Sequence, residues 1–158
     1  MKQKEMSYLL KILSIFTILA CLVFMFVALP FLAQSYLNAT QASSLYWPFL
    51  VISWLGLAPI IVLAILAWGI FTEIGSDNSF CEKNAARLRL MSYLSAFCVV
   101  VWIAGVVFIV LSGIIAVGII LSFTVALAIM LVLAIVCACL SHLTVKAAFI
   151  KQENDLTV

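Results

Sequence analysis

Charged residues gather in three short segments of this chain, and the stretches between them are apolar and long enough to cross a bilayer. From Ile12 to Ala33 the sequence holds 22 residues without a charge or a side-chain amide. From Tyr46 to Phe71 it holds 26 without a charge, and from Leu90 to Leu140 it holds 51. A hydrocarbon core takes about 20 apolar residues per helical crossing, so the last stretch is too long for one helix. It must fold back once, and Ser112-Gly113 with Gly118 mark the reversal, because glycine is the default turn residue. The pattern predicts an all-α polytopic membrane protein. Its single domain, 1–158, would be a bundle of four transmembrane helices with spans at about 8–32, 47–71, 90–112 and 118–141.

Composition agrees with the pattern. A hydrophobic fraction of 68%, a charged fraction of 9% and a mean hydropathy of +1.36 exclude a soluble globular domain. The basic residues then set the topology. Lys2, Lys4 and Lys11 precede or open the first span, Lys83, Arg87 and Arg89 lie between the second and third, and Lys146 and Lys151 follow the fourth. The loops at 34–45 and 112–117 contain no Lys or Arg. By the positive-inside rule both termini, the 72–89 loop and the 142–158 tail are cytoplasmic. The first span is read as retained, because its apolar run exceeds that of a signal peptide and no small-residue cleavage site follows it. The net charge of +2 is too weak for this chain to bind nucleic acid directly.

Local signals refine the helices. The first is expected to end near Pro30, leaving a polar, uncharged outer loop from Gln34. Asn38-Ala39-Thr40 in that loop fits a glycosylation acceptor, a pattern without meaning in a bacterial inner membrane. Tyr36, Tyr46 and Trp47 sit where an interfacial aromatic belt belongs, and Trp68 marks the opposite interface. Pro48 suits a first turn, whereas Pro59 should kink the second helix. Ser79 and Glu82 have capping-box spacing, which predicts a helix start near Phe80 that continues into the third span. In the fourth helix Ser122, Ala126, Met130, Ala134, Ala138 and His142 recur every fourth residue. That ridge of mostly small side chains would let another helix approach closely.

Candidate chemistry is sparse. No Asp, Glu, Lys, Arg or His lies within the apolar stretches 12–33, 46–71 and 90–140, so the ion pathways and proton relays that need intramembrane ionisable groups are disfavoured. Cys21 and Cys98 stand alone in their spans, Cys81 is cytoplasmic, and Cys137 and Cys139 point about 200° apart on a helix. None lies in the outer loops, so they read as small buried hydrophobes. Cys139 and His142 share a face, but with Cys137 turned away they do not make a tetrahedral metal set. Phosphate loops, nucleophile elbows, paired carboxylates and dinucleotide fingerprints are missing. Neither an enzyme nor a cofactor is expected.

The segment Ile74-Gly75-Ser76-Asp77-Asn78-Ser79-Phe80-Cys81-Glu82-Lys83-Asn84-Ala85-Ala86-Arg87-Leu88-Arg89 resembles the central loop of a family of uncharacterised bacterial four-pass membrane proteins, classed only as a domain of unknown function. The closing Glu153-Asn154-Asp155-Leu156-Thr157-Val158 is similar to the family's acidic-Leu-Thr-aliphatic ending. One departure is Ser79, where the family often has Pro. The resemblance implies a bacterial plasma-membrane protein. Its gene would often lie beside that of a small helix-turn-helix regulator of the Xre/Cro type.

The first expectation is therefore a regulatory or interaction protein that binds or sequesters such a cytosolic regulator. Glu82, Asn84, Arg87 and Arg89 at the start of the third helix, with Leu156, Thr157 and Val158 in the tail, are the candidate partner contacts. The competing reading of the first four is helix capping and headgroup contact. The alternative function is a small oligomeric transporter or a lipid-binding membrane module. In it the small-residue ridge would form a homo-oligomer seam, and Trp54, Gly56 and Pro59 would line a kinked path.

Overall fold

A computed structural model of the chain describes residues 3–39, 43–113 and 117–156. It is all-helical in the described residues. Helix α1 spans Gln3–Val23, a π-helical turn follows at Phe24–Ala28, and α2 continues as Leu29–Ala39. After a 3₁₀ turn at Ser43–Leu45 come α3 (Tyr46–Gly75), α4 (Glu82–Leu111) and α5 (Val117–Leu156). The α1–π–α2 rod, α3, α4 and α5 are four helices long and apolar enough to cross a membrane. Their outward faces are apolar, as lipid-facing surfaces must be. The chain is a multi-pass membrane protein.

The first helix does not end at Pro30. Proline has no N–H and crowds the carbonyl four residues back, so an uninterrupted α-helix would be broken there. The π turn absorbs the fault. Leu29 N–H donates to the Phe24 carbonyl, five residues back. In that register the Met25 carbonyl would accept from residue 30, which has no N–H to give. The indole Nε1–H of Trp54 on α3 donates to it instead, at 3.0 Å. The helix therefore runs on to Ala39, through half of the 34–45 segment that the sequence suggested was loop.

Some later boundaries also move. Helix α3 begins with Pro48 in its first turn, as expected, and continues through Pro59 to Gly75. It closes in a Schellman motif: Asn78 N–H donates to Glu73 O at 3.0 Å and Asp77 N–H to Ile74 O at 3.2 Å. Asp77 takes the left-handed conformation (φ 62°) that glycine usually supplies. The capping box does not form. Cys81 is the N-cap of α4 without a side-chain bond, so the helix starts at Glu82 rather than near Phe80. Asn84 Nδ2 donates to the Ser79 carbonyl at 3.0 Å. The predicted reversal stands: Ser112 N–H donates to Phe108 O, and Gly113 has φ 71°. Helix α5 continues well past the fourth span to Leu156, so the tail is a helical extension; Thr157 and Val158 lie outside the described residues.

The helices lie in chain order. Helix α4 packs most extensively on α5, α3 lies between α1 and α4, and among the described residues no comparable face joins α1–α2 to α5. The α4–α5 seam shows why. On α4 the buried positions are 84, 85, 91, 95, 98, 102, 105 and 109. On α5 the buried positions include 123, 130, 134, 137, 141, 144 and 148. From 91 on α4 and from 130 on α5 the steps alternate between four and three residues, the spacing of left-handed antiparallel packing in a helical hairpin. Small side chains at the seam let hydroxyls reach the facing backbone: Ser92 Oγ–H donates to Ala134 O at 2.9 Å, and Ser141 Oγ–H to Ala85 O at 2.8 Å. A strict four-residue ridge drifts by about 40° per step, and only its middle, Met130 and Ala134, is buried. Ser122, Ala138 and His142 of that ridge are exposed.

Candidate functional site

Two antiparallel hairpins bring the charged segments to one end of the molecule. There α1 and α3 meet closely. Ser7 Oγ–H donates to the Phe71 carbonyl at 2.5 Å, and a Cβ on Gly75 would lie 2.8 Å from that same Oγ. Lys11 lies over the Trp68 ring, 5.7 Å from its centroid, which fits a lysine snorkelling at an interface marked by tryptophan.

At this charged face the candidate contacts divide. Asn84 is 1% exposed and faces inward. Its Oδ1 accepts from Arg87 Nη1 at 3.0 Å, and the same guanidinium nitrogen donates to the Gly69 carbonyl at 2.9 Å. Glu73 Oε1 lies 3.8 Å from Arg87 Nη1. Asn84 and Arg87 therefore clamp the start of α4 onto the last turns of α3. Glu82 and Arg89 are exposed. Leu156 ends α5, and Thr157 and Val158 lie outside the described residues.

Sequence reasoning missed Phe80. It stands 58% exposed in the polar link between α3 and α4. It borders a notch of about 350 Å³ whose other walls include Glu82 and Lys83 from α4 and Ala148, Lys151 and Gln152 from α5. The 72–89 segment and the tail are thus neighbours in space. An aromatic side chain exposed within an otherwise polar segment was the available signal.

At the opposite end the missing contact between α2 and α5 leaves a crevice of about 590 Å³. Its walls are Leu29, Ala33 and Leu37 of α2 and Phe123, Ala126 and Met130 of α5; its floor is α3, with Trp102 of α4. No lining residue is charged. Trp54, Gly56 and Pro59 do not line a common path. Trp54 faces the π turn, and Gly56 is covered by the Trp102 indole, whose Cε2 and Cζ2 would lie 2.9 Å from an added Cβ.

The sulfur and imidazole groups are dispersed. Cys98 and Cys137 are buried, Cys139 is exposed, and no group of three or more His, Cys, Asp or Glu comes together among the described residues.

A family model described as a protein of unknown function, DUF2975, matches residues 34–158, well over half of the chain. No curated protein and no solved structure matches.

Proposed function

The chain belongs to the family of proteins of unknown function DUF2975, and we propose that it is a non-catalytic membrane anchor that holds a cytosolic helix-turn-helix regulator at its charged face. The notch beside Phe80 carries this reading. It joins the two segments, the 72–89 link and the α5 extension, that the sequence singled out as cytoplasmic. An exposed aromatic flanked by Glu82, Lys83 and Lys151 has the make-up of an interface anchor with a polar rim. In this reading the charged face lies in the bacterial cytosol, which the distribution of Lys and Arg supports, and Glu82 and Arg89 supply rim contacts. Asn84 and Arg87 hold the platform in shape.

The test is purification of the tagged protein from its native cell in mild detergent, with mass spectrometry of what accompanies it. A near-stoichiometric small DNA-binding protein is expected. Burying one phenyl ring stabilises a complex by about 1.5–3 kcal/mol, so Phe80→Ala should weaken capture roughly tenfold or more. Removal of residues 152–158 should weaken it as well. Recovery of the protein without any DNA-binding partner, or capture unchanged by both variants, refutes the reading.

The alternative of polar-solute transport finds no support in the geometry, because the crevice is apolar and uncharged.

A further inference from the structure

The notch between the α3–α4 link and the α5 extension has apolar walls and a charged mouth. Phe80, Cys81 and Ala148 supply the apolar walls. Glu82, Lys83 and Lys151 line it as well, and all three are exposed. Two ammonium groups against one carboxylate leave the notch net positive. Among the described residues neither lysine is paired with an acid; the ion pair nearby is that of Arg87 with Glu73. At about 350 Å³ the notch lies at the lower end of the range of small-molecule sites, so it takes one or two side chains and not a whole domain.

The notch also stands clear of the bilayer. Arg87 grips Gly69, next to the Trp68 that Lys11 covers at the interface. Ser141 bonds the carbonyl of Ala85, which lies further out on α4 than Arg87. Lys151 lies ten residues past Ser141, about 15 Å further along α5 at 1.5 Å per residue. The headgroup layer on one side of a bilayer is only about 5–8 Å thick. A lipid headgroup does not reach the notch, and its occupant comes from the aqueous side.

We infer that the notch takes a segment of a partner protein in which an apolar side chain is flanked by carboxylates. The apolar side chain packs against Phe80, and the carboxylates meet Lys83 and Lys151. The inference rests on the anchoring function for the identity of the partner and adds the chemistry of its docking segment. The face of a regulator that contacts DNA is itself basic, and like charges repel. The regulator therefore docks by another, acidic face and keeps its DNA-contacting face free.

The full chain would be placed in nanodiscs of zwitterionic phosphatidylcholine. The probe is a fluorescein-labelled amphipathic peptide of about 15 residues, with leucine and phenylalanine on one face and glutamates flanking it. A counterpart with lysines in place of the glutamates is the control, and binding to empty nanodiscs is subtracted from both. Fluorescence anisotropy should show saturable binding of the acidic peptide and none of the basic one. The double variant Lys83→Glu, Lys151→Glu changes two exposed side chains. It should weaken peptide binding roughly tenfold or more and release the DNA-binding protein from the native complex. Basic-peptide binding as tight as acidic, or acidic-peptide binding unchanged by the double variant, overturns the inference. Capture of a DNA-binding protein undiminished by the double variant also overturns it, and leaves the anchoring function in place. Acid-selective binding that needs the two lysines, without any captured DNA-binding protein, supports the docking chemistry and refutes the anchoring function alone.

Discussion

Replacing Arg87 by methionine should cost this protein about 2–3 kcal/mol, far more than a surface charge would suggest. Methionine keeps an unbranched stem in the space beside Gly69, where the guanidinium approaches so closely that an added Cβ would lie 2.8 Å from Nε. What is lost is the donor. One charged donor bond to Gly69 O, 2.9 Å long, is worth about 1.5–3 kcal/mol. The Glu73 pair, at 3.8 Å and with both side chains partly exposed, adds no more than about 1 kcal/mol. Asn84 Oδ1, buried and bonded to the same Nη1, would lose its donor, and the part of that cost not relieved by entering water adds to the loss. These contributions overlap, so they are not summed. The assay is reversible unfolding in mixed micelles with rising dodecyl sulfate, followed by circular dichroism, for wild type, Arg87→Met, Asn84→Ala and the double variant. Asn84→Ala alone should cost about 1–2 kcal/mol. The double variant should fall short of additivity by about 1 kcal/mol or more, because either change removes the shared bond. Loss below about 0.5 kcal/mol in Arg87→Met, or strict additivity, would refute the clamp.

Trp54→Phe keeps the ring near Phe26, 6.1 Å away between centroids, but leaves the Met25 carbonyl without its donor. It should lower stability by about 1 kcal/mol in the same assay, and it should be neutral in a Pro30→Ala background if the straightened helix then bonds that carbonyl internally. Gly105→Leu would force side-chain atoms onto Phe123, whose Cε1 lies 2.5 Å from even a single added Cβ. Overpacking by about 1–3 kcal/mol should outweigh the roughly 1 kcal/mol gained in helix propensity, giving a lower unfolding midpoint. Asp77→Gly should raise the midpoint by several tenths of a kcal/mol, since Asp77 already holds φ 62°.

What could be read from the sequence was whatever the bilayer dictates. Its thickness fixes the length of an apolar run, so the four helices and the reversal at Ser112-Gly113 were legible. Beyond the hydrocarbon that ruler stops, and good helix formers such as Lys146-Ala147-Ala148 carry α5 on to Leu156. Local rules also met tertiary competitors. Ser79 had the spacing to cap α4, but the N-cap is Cys81, two residues on. Pro30 looked like a terminus because the donor for the Met25 carbonyl comes from Trp54, 29 residues further along. The notch needed the α5 extension to pass Phe80, and the crevice needed α2 and α5 to stay apart; neither depends on spacing within one helix. Trp102 in the sequence is simply an apolar aromatic, and only its surroundings show that its N–H has no partner among the described residues.

Helix α5 is one uninterrupted rod of 40 residues, and it contributes Met130 to the crevice and Lys151 to the notch. Those positions are about 31 Å apart along its axis at 1.5 Å per residue. A lever of that length turns a tilt of about 5° into a displacement of nearly 3 Å at its far end. If the crevice widens at Phe123 and Met130, the same motion reshapes the cleft that a cytosolic protein would grip. Reciprocity then obliges that protein, once bound, to bias the width of the crevice in return.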